Sequence, residues 1–204
     1  TLATNIILPS FPSMGAELGI SSREMGLTLS YFFVAFAVGQ LLIGPLSDRY
    51  GRKWLVIGGL LIFSLGSLLC AYASSLHTLL AGRVVQALGV CAASVLSRAI
   101  ARDLFEGEAL ARILALIMVA MAAAPGFSPL LGSASDTFLG WRATFGLVAL
   151  VGILVALGYA RTIGETHVGE RRQSVSASAI IVQYAKLMSD ARFFRPAIAV
   201  SLIV

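Results

Sequence analysis

The stretch Gly44-Pro45-Leu46-Ser47-Asp48-Arg49-Tyr50-Gly51-Arg52-Lys53 is compact and strongly charged, and it lies between two long apolar runs. No charged side chain occurs between Glu24 and Asp48, and between Lys53 and Arg83 only His77 could carry charge. Each run is long enough to cross about 30 Å of hydrocarbon as a helix rising about 1.5 Å per residue. The charged stretch is therefore predicted to be a turn where two membrane spans meet water. Gly44 is suited to close helix approach, and Gly51 to a tight turn with positive φ that a Cβ would hinder.

The rest of the composition points the same way. Of 204 residues, 58% are hydrophobic and 12% charged, against about 25% charged in an ordinary soluble domain. This is the composition of an integral membrane protein. The net charge of +5 does not indicate nucleic acid, because the basic residues sit in loops without interleaved aromatics. Cys70 and Cys91 both fall inside apolar segments, match no metal spacing and read as small packing residues. Neither a metal cluster, a phosphate-binding loop nor a nucleophile–base set is visible, and His77 and His167 are isolated. An enzyme and an ATP-driven pump are both unsupported.

In chain order, an incomplete first span runs over Leu2–Met14 and contains Pro9 and Pro12. Further spans are predicted at about 25–46, 54–74, 79–99, 113–132 and 143–160, and a seventh opens at Pro196. Residues 1–160 thus read as a bundle of about six helices, 161–195 as a basic linker and 196–204 as the start of the next helix. Within the linker, 177–188 reads equally as a short surface helix or as a disordered tether. The chain starts at Thr1 inside an apolar stretch and ends a few residues into another, so both ends look cut, and no signal peptide is visible. Arg49, Arg52, Lys53, Arg98, Arg102, Arg112, Arg161, Arg171, Arg172, Lys186, Arg192 and Arg195 fall on one set of loops, and only Arg23 and Arg142 on the other. The first set, with the N-terminus and the 161–195 loop, is expected to be cytoplasmic.

The pattern Gly44-x-x-x-Asp48-Arg49-x-Gly51-Arg52-Lys53 resembles the signature loop between the second and third helices of the major facilitator superfamily of secondary transporters. A topology anchor alone would account for the basic residues but not for Asp48 or the glycines. In the fourth span, Arg83-x-x-Gln86-x-x-Gly89 is similar to a second superfamily motif implicated in proton coupling. An arginine here must face a partner or a wet cavity, or else snorkel to the outer interface. Ala124-Pro125-Gly126-Phe127-Ser128-Pro129-Leu130-Leu131-Gly132 looks like the antiporter motif of drug:proton exporters, in the form found in the bicyclomycin/chloramphenicol-resistance subfamily. Ser133 stands where that pattern has a second glycine, and an ordinary kinked packing helix is the competing reading. Leu8-Pro9-x-x-Pro12, Gly39-Gln40-Leu41-Leu42, Arg102-Asp103-Leu104-Phe105 and Gly140-Trp141-Arg142 strengthen the resemblance. One departure stands out: where relatives often carry an acid ahead of the Leu-Pro pair, this chain has Asn5, which cannot carry a proton.

The resemblance implies an all-α fold, a six-helix N-terminal bundle of two three-helix inverted repeats within a transporter of about twelve helices. It implies proton-coupled efflux of drug-like small molecules across a bacterial inner membrane by alternating access. The proton gradient would be the energy source, with no cofactor or metal. The implied partners are an amphiphilic small-molecule substrate, protons and the lipid bilayer, with a monomer favoured. Gly44, Asp48, Arg49, Gly51, Arg52 and Lys53 would gate; Asn5, Arg83, Gln86 and Gly89 would couple or line the cavity. Pro125, Gly126, Pro129 and Gly132 would form the antiporter helix. Asp48 reads as an acceptor for an arginine or a helix N-terminus. The rival readings are a facilitator exporter of a sugar, nucleoside or amino acid, and a non-transporting receptor or scaffold.

Overall fold

A computed structural model describes residues 2–166. Within that range the fold is helical: α1 (Leu2–Asn5), a 3-10 turn (Leu8–Ser10), α2 (Phe11–Leu18), α3 (Ser22–Tyr50), α4 (Arg52–Ala71), α5 (Leu76–Leu104), α6 (Gly107–Leu139) and α7 (Trp141–Thr162). Helices α3 to α7 are each long and apolar enough to cross a membrane. The predicted 177–188 helix, the seventh span and nearly all of the 161–195 linker lie outside the described residues.

The first segment is broken rather than merely kinked. Pro9 has no N–H to donate to the Asn5 carbonyl, and its ring crowds that carbonyl, so α1 stops at Asn5. Pro12 falls in the first turn of α2, where its missing N–H costs nothing. The other helices run beyond their apolar cores. Helix α3 starts at a capping box, in which the Ser21 hydroxyl accepts from Glu24 N–H and the Glu24 carboxylate accepts from Ser21 N–H. It then continues through Gly44, Pro45, Asp48 and Arg49 to Tyr50. The charged stretch is therefore mostly the last turns of a helix. Gly51 alone makes the turn, at φ +86°.

Helix α4 is the centre of the bundle and packs most extensively on α5 and α7. Lipid tails offer helices no hydrophobic drive to associate, so close backbone approach through small residues has to supply dispersion contact. A Cβ at Gly66 would press on the backbone of Gln86, and one at Gly89 on the backbone of Phe63 and the Gly59 carbonyl. Gly44, by contrast, meets no neighbour within 4 Å among the described residues. Two apolar clusters flank the seam. Ile7, Met14, Met25, Phe63, Leu79 and Phe145 gather at the end away from Gly51, and Val56, Leu60, Leu96 and Ile100 at the near end.

Gly89→Val is expected to wedge α4 from α5 and to lower the detergent-solubilised melting temperature, at a cost of about 1–3 kcal/mol. Gly58→Ala, in open space on α4, serves as control. Equal melting of the two variants would show that the α4–α5 seam is not the tight contact described.

Candidate functional site

The polar centre of the bundle is built on one face of α5. Arg83 and Gln86, one turn apart, are both 0% exposed. Arg83 Nη1 donates to Gln86 Oε1 and, at 3.4 Å, to the carbonyl of Ala3 on α1. Gln86 Nε2 donates to Ser67 Oγ at 2.7 Å, and Ser67 in turn donates to the Phe63 carbonyl of its own helix. The guanidinium carbon stands 4.6 Å from the centroid of the Phe32 ring on α3, a cation–π contact strengthened by the absence of water. Four segments therefore meet at one cation. The guanidinium points to α1 and to its own helix, so the snorkelling alternative does not describe it.

This cation is incompletely satisfied. A guanidinium has five N–H groups, and Nε and Nη2 have no hydrogen-bond partner among the described residues. Those two nitrogens form the side-on edge that binds a carboxylate through two parallel hydrogen bonds. No carboxylate pairs with Arg83 among the described residues. Asn5 is half-buried at the end of α1, two residues beyond the Ala3 carbonyl. Gly89, the third member of the motif, faces Phe63 and belongs to the packing seam rather than to the polar centre.

Helix α6 touches this centre indirectly. It stays helical through Pro125 and Pro129, so the doubly weakened ladder does not end it. Pro125 and Gly126 are exposed and Pro129 is half-buried, while Ser128 is fully buried with no partner for its hydroxyl among the described residues. Gly132 is where α6 meets the broken segment: a Cβ there would overlap the Ile6 carbonyl oxygen.

At the Gly51 end, the acceptor for the N-terminus of α4 is Glu165. Its carboxylate takes Arg52 N–H at 2.9 Å and Lys53 N–H at 3.2 Å, satisfying two orphan donors and opposing the positive end of the helix dipole. A Cβ on Gly51 would sit 2.5 Å from Glu165 Oε2 and would push that carboxylate aside, while the positive φ is what favours glycine here. Arg52 forms an ion pair with Asp103, near the C-terminus of α5. Among the described residues Asp48 is exposed and takes neither role; there Glu165 and Asp103 are the acceptors for the helix N-terminus and for Arg52. Arg49 lies over the Tyr50 ring, 5.2 Å from its centroid. Glu165 escaped the sequence reading because nothing in Ile163-Gly164-Glu165-Thr166 marks a cap for a helix more than a hundred residues earlier.

At the opposite end, Glu17 accepts from Trp141 Nε1 at 2.6 Å and pairs with Arg142. Arg142 also donates to the Ala73 carbonyl at 3.2 Å and stacks over Trp141. The hydrogen bond from Trp141, then that from Arg142, holds the Glu17 carboxyl below its ordinary value of 4.5. A depressed folded-state value means that the contribution is present above pH 4.5 and is lost as pH falls through the lower folded value. Trp141 emission in a Trp54→Phe background should therefore hold steady from neutral pH to about 4.5 and change only below it. Glu17→Gln should remove that transition; a transition that persists would show that Glu17 does not cause it.

Among the described residues, no group of His, Cys, Asp and Glu side chains could hold a metal ion. Cys70 and Cys91 are buried free thiols.

A polytopic helical membrane protein with a buried polar centre is what this fold defines. The Major Facilitator Superfamily family profile matches residues 1–204, and the chain belongs to that superfamily. It is 34% identical over 204 residues (99% of this chain, 51% of the relative) to the MFS-type transporter YdgK of Bacillus subtilis. It is 37% identical over 169 residues (82% and 40%) to a chloramphenicol resistance protein of Pseudomonas aeruginosa. A bicyclomycin resistance protein homolog of Haemophilus influenzae is 34% identical over 168 residues (82% and 42%). The chain spans about half the length of these curated relatives.

Proposed function

We propose that the chain forms the N-terminal half of a proton-coupled exporter of drug-like molecules. It would lie in the bacterial inner membrane with the Gly51 end cytoplasmic and work by alternating access between two halves. The observation that carries this reading is Arg83, a fully buried cation of α5 bonded to the broken first segment, with its carboxylate-binding edge unpartnered among the described residues. A charge at membrane depth is costly and is characteristic of ion and substrate pathways. Arginine cannot carry the proton itself, since its pKa exceeds about 12. The role that fits is to bind a carboxylate outside residues 2–166 when that group is ionised and to release it when it is protonated. The relatives named for chloramphenicol, bicyclomycin and multidrug resistance support drug-like substrates.

The cluster of Arg52, Asp103, Glu165 and Gly51 supports a gating role for the charged loop. It ties together the ends of α4, α5 and α7 where the cytoplasmic mouth would close. Reconstituting the full-length protein and measuring efflux of chloramphenicol and bicyclomycin, with and without an inward proton gradient, tests the proposal. Gradient-stimulated drug flux is expected. Flux of a sugar, nucleoside or amino acid in place of drug would reassign the substrate class, and no flux of any of these would leave a receptor or scaffold.

A further inference from the structure

The polar centre contains a hydrogen-bond path whose sense is fixed from end to end. A guanidinium only donates, so the Gln86 amide turns Oε1 toward Arg83 and Nε2 away from it. Nε2 donates to Ser67 Oγ at 2.7 Å, and the single hydrogen of Ser67 goes to the Phe63 carbonyl at 2.8 Å. With that hydrogen committed, Ser67 offers Gln86 only lone pairs. A flipped amide would set N–H against N–H at Arg83 and leave Ser67 without a donor. Arg83, Gln86 and Ser67 are all 0% exposed, so bulk water does not replace a lost bond.

This path ends on the closest-packed part of the bundle. Gly66 brings α4 so near α5 that a Cβ on it would press on the Gln86 backbone, and Ser67 is the next residue. The other restraints on the guanidinium are weaker. Its contact with the Ala3 carbonyl is long, at 3.4 Å, and belongs to the segment that breaks after Asn5. Phe32 covers the guanidinium but supplies no directional bond. The direction in which Nε and Nη2 are presented is therefore set mainly by Gln86, and that of Gln86 by Ser67.

We propose that Ser67 is a positioning residue of proton coupling: through Gln86 it aims the unpartnered edge of Arg83 at the carboxylate which that edge binds. The inference rests on the proton-coupled reading above and adds to it a residue of α4 that lies in none of the motifs. Ser67 touches neither the proton nor the drug. It keeps two N–H groups of Arg83 in line with two carboxylate oxygens, an arrangement that loses one of its bonds when the guanidinium swings. Among the described residues, the groups around Arg83 supply no carboxylate of their own. Leu2–Asn5 of α1 carry no titratable side chain, and α3 presents Phe32. Helix α4 presents the Cys70 thiol, whose hydrogen goes to the Leu79 carbonyl at 3.8 Å. On α5 itself, His77 lies at the start of the helix.

The test reconstitutes the full-length protein in proteoliposomes and reads chloramphenicol efflux across a pH series, with and without an inward proton gradient. In Ser67→Ala the carboxylate should hold its proton more tightly, because a misaligned cation favours the ionised form less. The pH of half-maximal efflux should rise by up to about 1 unit, with a matching loss of gradient stimulation. Ser64→Ala removes a buried serine of the same helix that donates to the Leu60 carbonyl, and it should move neither. In a Gln86→Leu background, Ser67→Ala should cause no further shift, since its effect passes through Gln86. Ser67→Cys, whose sulfur is a weak acceptor, should give a smaller shift and serves if Ser67→Ala inserts poorly. A wild-type midpoint in Ser67→Ala, an equal shift in Ser64→Ala, or a further shift in the Gln86→Leu background each overturns the proposal. Wild-type efflux indifferent to both pH and gradient defeats the proton-coupled reading itself, and the role of Ser67 falls with it.

Discussion

Arg83→Ala is expected to abolish the stimulation of drug efflux by an inward proton gradient while leaving an inserted, folded protein. The two halves of that expectation have separate physical grounds. Arg83 has no paired carboxylate among the described residues, so its removal does not strand a buried counter-charge. Truncation leaves a cavity and takes the donor from Gln86 Oε1, a cost of about 1–3 kcal/mol for the orphaned acceptor, below the about 3–5 kcal/mol of stranding a buried counter-charge. Gln86 keeps its bond to Ser67, and Phe32 keeps its apolar surroundings. Coupling, on the function proposed above, would be lost, because it would require a cation that favours the ionised form of a carboxylate outside residues 2–166 in one conformation. Arg83→Lys should retain part of the stimulation, since charge is preserved while the planar two-nitrogen edge becomes a single ammonium. Efflux in proteoliposomes, with and without the gradient, is the measurement. Undiminished stimulation in Arg83→Ala would reduce the residue to a packing element.

Gly132→Leu is expected to have the largest structural effect of any substitution on α6. The atom that a Cβ would meet is the Ile6 carbonyl oxygen, with the Ile6 carbonyl carbon next at 2.7 Å. Both are backbone, so no side-chain rotation relieves the overlap, and the first segment must move away from α6. Overpacking of this kind costs about 1–3 kcal/mol and occasionally more. The displacement also reaches function. Ala3, one turn before Ile6, supplies the carbonyl that Arg83 binds, and Ser13 on the same segment holds Asp136. A fall in melting temperature together with lost transport is the expected result. Gly126→Ala, which meets nothing within 4 Å, should leave the melting temperature in place. A Gly132→Leu variant that melts and transports like wild type would mean that the contact with Ile6 does not hold the segment.

Much of this protein is legible in one dimension, and the reason is hydrocarbon. A run such as Met25–Leu46 without a charge can be read as a span because lipid penalises charge and unpaired backbone whatever the neighbours are. The positive φ at Gly51 and the exceptional standing of Arg83 were legible for similar reasons, since each follows from the chemistry of one residue in a known medium. The break at Pro9 was not, because the sequence reads as a first span running through both prolines to Met14. The helix ends were read short. Hydropathy reports the thickness of the apolar slab, whereas α5 and α6 continue for a turn or more into polar sequence, where their backbone bonds are still made.

What only the tertiary structure decided is who meets whom. Glu165 rather than Asp48 caps α4, Arg83 reaches the Ala3 carbonyl 80 positions away, and Ser13 meets Asp136 across 123. Local sequence carries no trace of such pairs, because each depends on which faces of separate helices are brought together. That choice is made by small-residue contacts, such as Gly66 on Gln86 and Gly132 on Ile6, whose partners lie on other helices. The medium fixes each helix singly, residue by residue; packing between helices, cooperative and distant in sequence, places the polar groups that carry the chemistry.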